Sequence, residues 1–386
     1  MPVRPIRRSD YEALNQLHRQ VGWPERSHAG WRWLEDNPAR LDIDAALGWV
    51  VVDQNDQPCA MLGNLIHRFH QNDREWHGAT GFSIIVPPER SGASRSLIKA
   101  HLAQTGLFAR YTLNANPKAA PLYRLFGLKP FPDQTSSLKL SWIVDPLTCL
   151  KGRLLRLALG RCSAKFAARF GERLVNPRLL RSARLLLAGD VVALRDLGND
   201  PAYREFWLAL KRQGRFVADR SPEIMSWRLS DPDQTTAPIT LGLRRNGKLV
   251  GALIAQLNKT SSIEPPCIDI IDVVALDSAW DGVEVLTKAI IDNARNLGAA
   301  KVRLQVVTPE LLDRLGSLPA KARREGGWGH CHAVIDDHAL METWAPSPFE
   351  GDYAICARPI PNGRARPRTK AKDPAESFAP SRLGQA

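Results

Sequence analysis

The chain has 386 residues, of which 44% are apolar and 24% charged, so it can form about two domains of ordinary size. It contains no run of about 18 apolar residues, and no apolar segment follows the arginines near the N-terminus, so neither a membrane span nor a secretory signal is predicted. The six cysteines form no C-x-x-C pair, which favours reduced thiols and a cytoplasmic location.

The positive charge of the chain is concentrated in two segments. Of the net charge of +13, residues 150–189 contribute +9 and residues 358–386 contribute +5. The rest of the chain is close to neutral, which argues against a basic domain that reads a specific nucleic acid. Residues 358–386 are rich in Pro, Arg and Lys and poor in apolar residues, so we predict a disordered basic tail.

Apolar runs and turn signals predict a mixed sheet in the first half of the chain. An Asn-Asp pair between two apolar runs favours a hairpin, and the next strand leads through a polar loop into an amphipathic helix. Another strand follows that helix, and helices then cover the sheet. The predicted elements are strands over 48–53, 59–65, 80–86 and 110–113, a turn at Asn55-Asp56, and a helix around Leu97, Ile98 and Leu102 that ends at Gly106.

The second half of the chain repeats this order. A Trp and a Pro five residues apart, Trp33 with Pro38 and Trp227 with Pro232, come before the predicted sheet in each half. The shared order indicates a tandem duplication. The repeated elements are strands over 239–244, 249–257, 268–276 and 301–307, a turn at Asn246-Gly247, and a helix around Leu286, Ile290 and Leu297 that ends at Gly298.

The most specific motif lies at residues 116–127, which read NPKAAPLYRLFG. An Asn cap followed by Pro at the first helical position predicts a helix start, and Gly127 suits the turn that ends it. Ala119, Leu122 and Tyr123 have the spacing i, i+3, i+4, so they share one face of this helix.

This motif closely resembles the Asn-x-x-Ala-x-x-Leu-Tyr-x-x-x-Gly signature of the GNAT acyltransferases, which bind acyl-coenzyme A. The chain as a whole resembles the bacterial tandem-GNAT proteins, which end in a Trp and a Gly-Asp turn, here Trp344 and Gly351-Asp352. The resemblance implies an α/β fold of two tandem GNAT-like domains, each a mixed twisted sheet flanked by helices. Its implied parts are an acyl-CoA-binding domain over 1–145, a basic amphipathic helical connector over 146–189, a degenerate second domain over 190–357, and the tail over 358–386.

The resemblance also implies a site for the pyrophosphate of coenzyme A, which needs several backbone N–H donors pointing one way. A strand that turns into a helix N-terminus provides them. Ala93 and Arg95 stand where the family has small residues, so the long Arg95 side chain either obstructs this contact or binds phosphate directly. The predicted cofactor-binding residues of the loop are Arg90, Ser91, Gly92, Ala93, Ser94, Arg95 and Ser96.

The resemblance also implies a role in cofactor binding for Asn116 and a role in proton transfer for Tyr123. Asn116 is expected beside the pantetheine arm, and Tyr123 is expected to protonate the departing thiolate, because a phenol of pKa about 10 matches a thiol of about 8.5. The alternative is that Asn116 only caps the helix and Tyr123 only packs on the sheet. The strand over 80–86 carries no carboxylate, so the general base stays open, with His77 as one candidate.

His330, Cys331 and His332, followed by Asp336, Asp337 and His338, form a cluster of residue types that bind metals. Alternate residues of a strand point to one face, so His330 and His332 are compatible with a zinc site. No second spaced pair supports such a site, and we predict a solvated strand and turn without a metal.

The predicted function is transfer of an acetyl or other acyl group from coenzyme A to an amine, less readily a hydroxyl, by direct attack. The acceptor is expected to be a small molecule, a peptide or an envelope sugar. One alternative is a non-catalytic scaffold, in which Arg95 marks a lost site. Another is contact with anionic membranes or polyanions through 150–189 and 358–386, although packing of the connector between the domains is the simpler expectation.

Overall fold

The computed structural model describes residues 2–159, 174–175, 184–234, 236–259, 263–353 and 355. Its strands are β1 (Val3–Pro5), β2 (Gly48–Val52), β3 (Pro58–Gln71), β4 (Arg74–Ile85), β5 (Ala109–Thr112), β6 (Lys129–Pro130), β7 (Leu138–Ile143), β8 (Val191–Ala193), β9 (Val217–Ala218), β10 (Ile239–Arg245), β11 (Lys248–Asn258), β12 (Cys267–Ala275), β13 (Lys301–Leu304), β14 (Arg323–Gly326) and β15 (His332–Ile335). Its helices are α1 (Tyr11–Gln20), α2 (His28–Glu35), α3 (Pro38–Leu41), α4 (Ala93–Leu102), α5 (Ala120–Leu125), α6 (Pro146–Leu159), α7 (Pro201–Lys211), α8 (Pro222–Leu229), α9 (Gly282–Ala294), α10 (Pro309–Arg314) and α11 (His338–Thr343).

Two mixed sheets organise these elements. The first has the order β1-β2-β3-β4-β5-β15-β6, with β9 paired to β3, and the second has the order β14-β7-β13-β12-β11-β10-β8. Each sheet contains a short parallel pair, β4 with β5 and β12 with β13, in a largely antiparallel setting. The predicted fold class, two mixed sheets flanked by helices, is therefore confirmed.

The two sheets exchange strands, which the sequence analysis did not predict. Strand β7, from the first half of the chain, lies between β14 and β13 of the second sheet. Strand β15, from the second half, lies between β5 and β6 of the first sheet. Burial explains the position of β7, because Leu140 and Trp142 pack in the second core and the Trp142 indole donates to Leu318 O at 3.0 Å. The domain limits at 145 and 190 remain a prediction, and the sheets do not follow them strictly.

The repeated Trp residues meet where the halves join. Trp33 of α2 and Trp227 of α8 stack with ring centroids 4.7 Å apart and an interplanar angle of 11°. Each indole donates to the other residue's carbonyl oxygen, at 2.6 Å from Trp33 and 2.8 Å from Trp227. Both helices begin with a serine cap, Ser27 and Ser221. This reciprocal contact gives the two halves a local two-fold relation, as expected of a duplicated element.

Several element limits differ from the prediction. The strand expected over 80–86 belongs to the longer β4, which forms a hairpin with β3. The motif helix begins at Ala120, and residues 117–119 form a turn before it. Asn116 Oδ1 accepts the N–H groups of Lys118 and Ala119 at the start of this turn, as a cap does. Gly127 ends it with a φ of 90°, as predicted.

Of the predicted connector, the structure describes the first part as α6, together with residues 174–175 and 184–189. The remainder lies outside the described residues, as does the predicted tail over 358–386. Within the described ranges, no helix is both long and apolar enough to cross a membrane.

Candidate functional site

The centre of the first sheet opens between its two parallel strands. Strands β4 and β5 pair only from Gly78–Ala109 to Thr80–Tyr111 and then separate. Beyond this point β4 carries a bulge, since Phe82 pairs with Gly63 and Ile85 with Met61, which leaves two residues opposite one. A bulge leaves ladder groups unpaired and re-aims the strand.

The bulge residue Ser83 has a φ of 49°, which is uncommon for a residue other than glycine. Ser83 and the adjacent Ile84 both line the opening between the strands. The wall of this opening is therefore formed in part by backbone that does not follow the regular strand pairing.

This opening is a cleft of about 430 Å³ with walls from both halves of the chain. The first half supplies the separated strand ends and the start of the motif segment. The second half supplies polar side chains from β13, β14 and the segments that follow them. The residues that contribute to the chemistry considered below are Ser83, Ile84, Thr112, Asn114, Asn116, Tyr123, Lys139, Arg303, Gln305, Glu325, Trp328 and Asp352.

Tyr123 lies at the point where the two strands separate. Helix α5 buries its ring, and its hydroxyl lies near Gly81, 3.8 Å from where a Cβ of that residue would be. Burial raises the pKa of Tyr123 above its usual value, and the charge of Asp352 raises it further. A hydrogen bond with Thr112 lowers this pKa and offsets part of the rise. The phenol therefore keeps its proton throughout the neutral range, as an acid must before it donates.

Asp352 is the carboxylate that the sequence analysis lacked. It is buried, lines the cleft and accepts a hydrogen bond from Asn114 Nδ2 at 3.1 Å. It lies 229 positions after Tyr123 in the chain, so no local pattern connects the two residues. The one sequence signal was the Gly351-Asp352 turn, which was assigned no chemical role.

Asn116 also reaches the cleft, at the exposed end of the motif segment. Its Oδ1 accepts hydrogen bonds from the Lys118 and Ala119 amides, both at 2.9 Å. The capping role proposed for this residue is therefore present. Capping uses the carbonyl oxygen of the side chain, whereas the amide nitrogen is a separate donor group.

The predicted phosphate loop forms a turn into α4 but does not line the cleft. Residues Pro88–Arg90 make a 3-10 turn, and Gly92 has a φ of 93°, a conformation that glycine adopts without strain. Ser91, Gly92 and Arg95 are exposed, Ala93 is buried, and Arg90, Ser94 and Ser96 are half-buried.

The other base candidate, His77, lies outside this arrangement. Its Nε2 is 3.2 Å from Asp42 Oδ2, and it is not among the residues that line the cleft. The structure therefore provides Asp352, and not His77, beside Tyr123.

The expectation of a solvated strand and turn at His330, Cys331 and His332 was wrong. All three residues are buried, because β15 is an inner strand of the first sheet and not an edge. Burial, followed by the nearby charge of Lys139, lowers the pKa of His330 to about 3, and its Nε2 lies 2.7 Å from Gln305 O. Within the described part of the chain, no group of three or more His, Cys, Asp or Glu residues is arranged to hold a metal ion.

The second half has its own opening, where β12 and β13 separate after Ile270 and Leu304. Ion pairs lie at its mouth, with Arg314 to Asp277 at 2.9 Å and Arg215 to Asp277 at 3.1 Å. The two arginines therefore neutralise the carboxylate with which they pair. For the function, the side chains that the second half contributes to the first cleft matter more than this second opening.

Comparisons with known proteins bear on the fold of the chain. No family model matches the sequence, and no curated protein matches it. Several solved structures are similar in three dimensions. A probable N-acyltransferase from Enterococcus faecalis has a TM-score of 0.51 and 11% identity, over 89% of this chain and 73% of its own. A GCN5-related N-acetyltransferase from Anabaena variabilis has a TM-score of 0.50 and 14% identity, over 87% and 73%.

The N-myristoyltransferase of Saccharomyces cerevisiae, solved with bound myristoyl-CoA, has a TM-score of 0.50 and 10% identity, over 86% of this chain and 78% of its own. At such identities the similarity concerns the fold alone. The chain has the GNAT fold, as its motif at 116–127 predicted.

Proposed function

We propose that this protein transfers an acyl group from acyl-coenzyme A to an amine. The observation that carries the proposal is a single cleft that contains a protonated phenol, Tyr123, and a carboxylate, Asp352, at a bulged split between parallel strands. An acid and a base in one cavity are what acyl transfer to an amine requires. The GNAT fold agrees with this chemistry, since the similar proteins include acyltransferases.

In this proposal the cofactor extends from the cleft to the loop before α4. The pantetheine arm would follow the split between β4 and β5 and accept a hydrogen bond from the side-chain amide nitrogen of Asn116. The pyrophosphate would approach the residues from Arg90 to Ser96. The exposed serine and glycine of this loop support the fit, because they leave the backbone accessible to a phosphate.

The reaction would proceed by direct attack, without a covalent enzyme intermediate. An acceptor that binds as an ammonium ion first gives one proton to solvent. The neutral amine nitrogen then forms a bond to the thioester carbon, Asp352 takes the proton that this nitrogen loses, and the carbon–sulfur bond breaks. Tyr123 gives its proton to the departing sulfur, and a proton from Asp352 returns through solvent to the phenolate. Backbone N–H groups freed by the bulge at Ser83 would stabilise the charge that develops on the carbonyl oxygen.

The acceptor side would be formed by the second half of the chain. Two carboxylates that line the cleft, Glu325 and Asp352, could each form an ion pair with an ammonium group, which a hydroxyl cannot do. We propose that the acceptor is a small molecule, a peptide or an envelope sugar with a free amine. We also propose a cytoplasmic location.

Calorimetric titration with acetyl-coenzyme A tests the proposal. We expect one equivalent to bind, with affinity reduced about five- to tenfold by Asn116→Ala, because one hydrogen bond is lost. Asn199→Ala is the matched control, since Asn199 is also exposed but lies outside the cleft. If acetyl-, longer acyl- and free coenzyme A all fail to bind, the protein is the non-catalytic scaffold of the alternative interpretation.

A further inference from the structure

Among the described residues, helix α6 packs against the protein through one face. Gly152 and Leu155 are buried on that face, and a Cβ on Gly152 would lie only 2.7 Å from the ring of Pro265. The opposite face carries four leucines whose exposed fractions are unusually high for this residue. They are Leu147 at 69%, Leu150 at 52%, Leu154 at 56% and Leu157 at 77%.

These four leucines, here called the leucine stripe, form a continuous band. Their spacing of i, i+3, i+7 and i+10 places them within about 80° of the helix circumference, at about 100° per residue. Lys151, Arg153 and Arg156 are exposed beside the band, and no acid occurs between residues 146 and 159. The exposed part of α6 is therefore apolar along its centre and cationic at its margins.

A cationic groove runs beside α6 toward the edge strand β14. Leu150 and Leu157 of the stripe also line it. Two acids in the groove, Glu264 and Glu325, form ion pairs with Arg156 at 2.9 Å and with Arg323 at 4.0 Å. The cations that line the groove are Arg153, Arg156, Lys301, Arg323 and Arg324.

The groove is continuous with the candidate active site. Glu325 and Trp328 line both the groove and the cleft that contains Tyr123. A surface on which α6 lies would therefore be next to the acceptor side of the cleft.

We propose that α6 lies in the surface of an anionic lipid bilayer. The leucine stripe enters the boundary between headgroups and acyl chains, and the flanking cations contact lipid phosphates. Apolar residues at the centre of a helix face with cations at its margins are typical of helices that lie in a membrane interface. A soluble polyanion would need the cations but would gain nothing from the leucine stripe, so the bilayer accounts for both features.

Flotation of the full-length protein with vesicles tests this inference. We compare vesicles of equal parts phosphatidylglycerol and phosphatidylcholine with vesicles of phosphatidylcholine alone, without acyl-coenzyme A, so that the result does not depend on the proposed enzymatic activity. The wild type should bind the anionic vesicles. Replacing all four stripe leucines by serine should weaken this binding on the order of 100-fold, because most of the inserted apolar surface is lost.

The cations are tested separately. Lys151→Ala and Arg153→Ala should each weaken binding to the anionic vesicles about fivefold, and the loss should be smaller at high salt. The matched controls are on α7, where Leu208 is 48% exposed and Arg204 is exposed. Leu208→Ser and Arg204→Ala should leave vesicle binding unchanged.

Two outcomes would overturn the inference. If the four-serine variant binds as the wild type does and only salt releases it, the attraction comes from the basic segments outside the described residues by charge alone. If the four-serine variant loses several degrees of melting temperature in the absence of vesicles, the stripe is covered within the folded chain and does not face lipid.

Discussion

The surroundings of Tyr123 in the cleft directly affect its protonation state. Burial and the charge of Asp352 hold its pKa above the usual 10, so the phenol is fully protonated at neutral pH. A phenol with a raised pKa is a weaker acid, and it donates efficiently only to a basic group placed beside it. In the proposed reaction this group is the departing thiolate, which the same burial would make more basic than it is in water.

Tyr123→Phe should lower kcat about 100-fold and leave acetyl-coenzyme A affinity within a factor of three, because only the proton donor is lost. In the wild type, deprotonation of Tyr123 should cause no loss of rate below pH 10, because its raised pKa moves this deprotonation to a higher pH. Steady-state rates with an amine acceptor across pH measure both effects. Tyr203→Phe is the control, another buried tyrosine with a raised pKa that lies outside the cleft.

Asp352→Asn should lower kcat about 100- to 1,000-fold with an amine acceptor, because the amide cannot take the proton. The isosteric change keeps a hydrogen-bonding group beside Asn114, so coenzyme A affinity should change little. The effect should shrink with an acceptor of low amine pKa, which needs less help from a base. A variant with unchanged rates would remove Asp352 from the mechanism.

At the scale of elements, the paired helices α2 and α8 hold the two halves together. Their tryptophans stack and each donates to the other's backbone, so both indole N–H groups are satisfied inside the contact. Close aromatic stacking adds to the area that these rings bury. The contact depends equally on both copies of the repeated element.

Trp33→Phe and Trp227→Phe should each lower the free energy of unfolding by about 1–3 kcal/mol, because each leaves a carbonyl without its donor. The double variant should lose less unfolding free energy than the two single variants together, by about 0.5–3 kcal/mol, since the two residues are in contact. Denaturant unfolding of the wild type, the two single variants and the double variant measures this coupling. Trp207→Phe, another buried tryptophan, should not couple to Trp33.

At the scale of the whole molecule, the chain is interlaced. Strands β7 and β15 each complete the sheet of the other half, and the segment after Glu350 returns to the first half. Tyr353 donates to Leu113 O at 2.7 Å, and Ile355 is buried among the N-terminal helices. Arg26, itself buried, donates to Ile355 O. The halves are therefore expected to unfold in one transition.

Truncation after Ala357 should leave the melting temperature and coenzyme A affinity unchanged, because it keeps the contacts of Ile355. Truncation after Tyr353 removes the buried Ile355 side chain and the carbonyl oxygen that accepts from Arg26 Nη2, although Arg26 keeps its ion pair with Asp231. We therefore expect a loss of about 3 kcal/mol in unfolding free energy, mainly from the lost apolar burial. Thermal melts of the two truncated proteins beside the wild type measure the difference. A large loss from the first truncation would mean that the tail has a structural role.

The sequence by itself determined the features that depend on neighbouring residues. Asn246-Gly247 predicted its hairpin turn, Gly127 the end of α5, and the spacing of apolar residues the central strands and helices of both halves. These features follow from backbone conformation and side-chain periodicity, which a few adjacent residues set. The motif at 116–127 also placed Tyr123 on a buried helix face, and the structure locates it in the cleft.

Only the tertiary structure decided which distant segments meet. It exchanged β7 and β15, buried His330, brought Asp352 to Tyr123 and left the leucine stripe of α6 uncovered. Each outcome depends on burial against residues far along the chain, and a strand's apolar pattern is satisfied by any sheet that covers it. The physical reason is that hydrophobic burial is not directional, so local sequence fixes what an element is but not its partner.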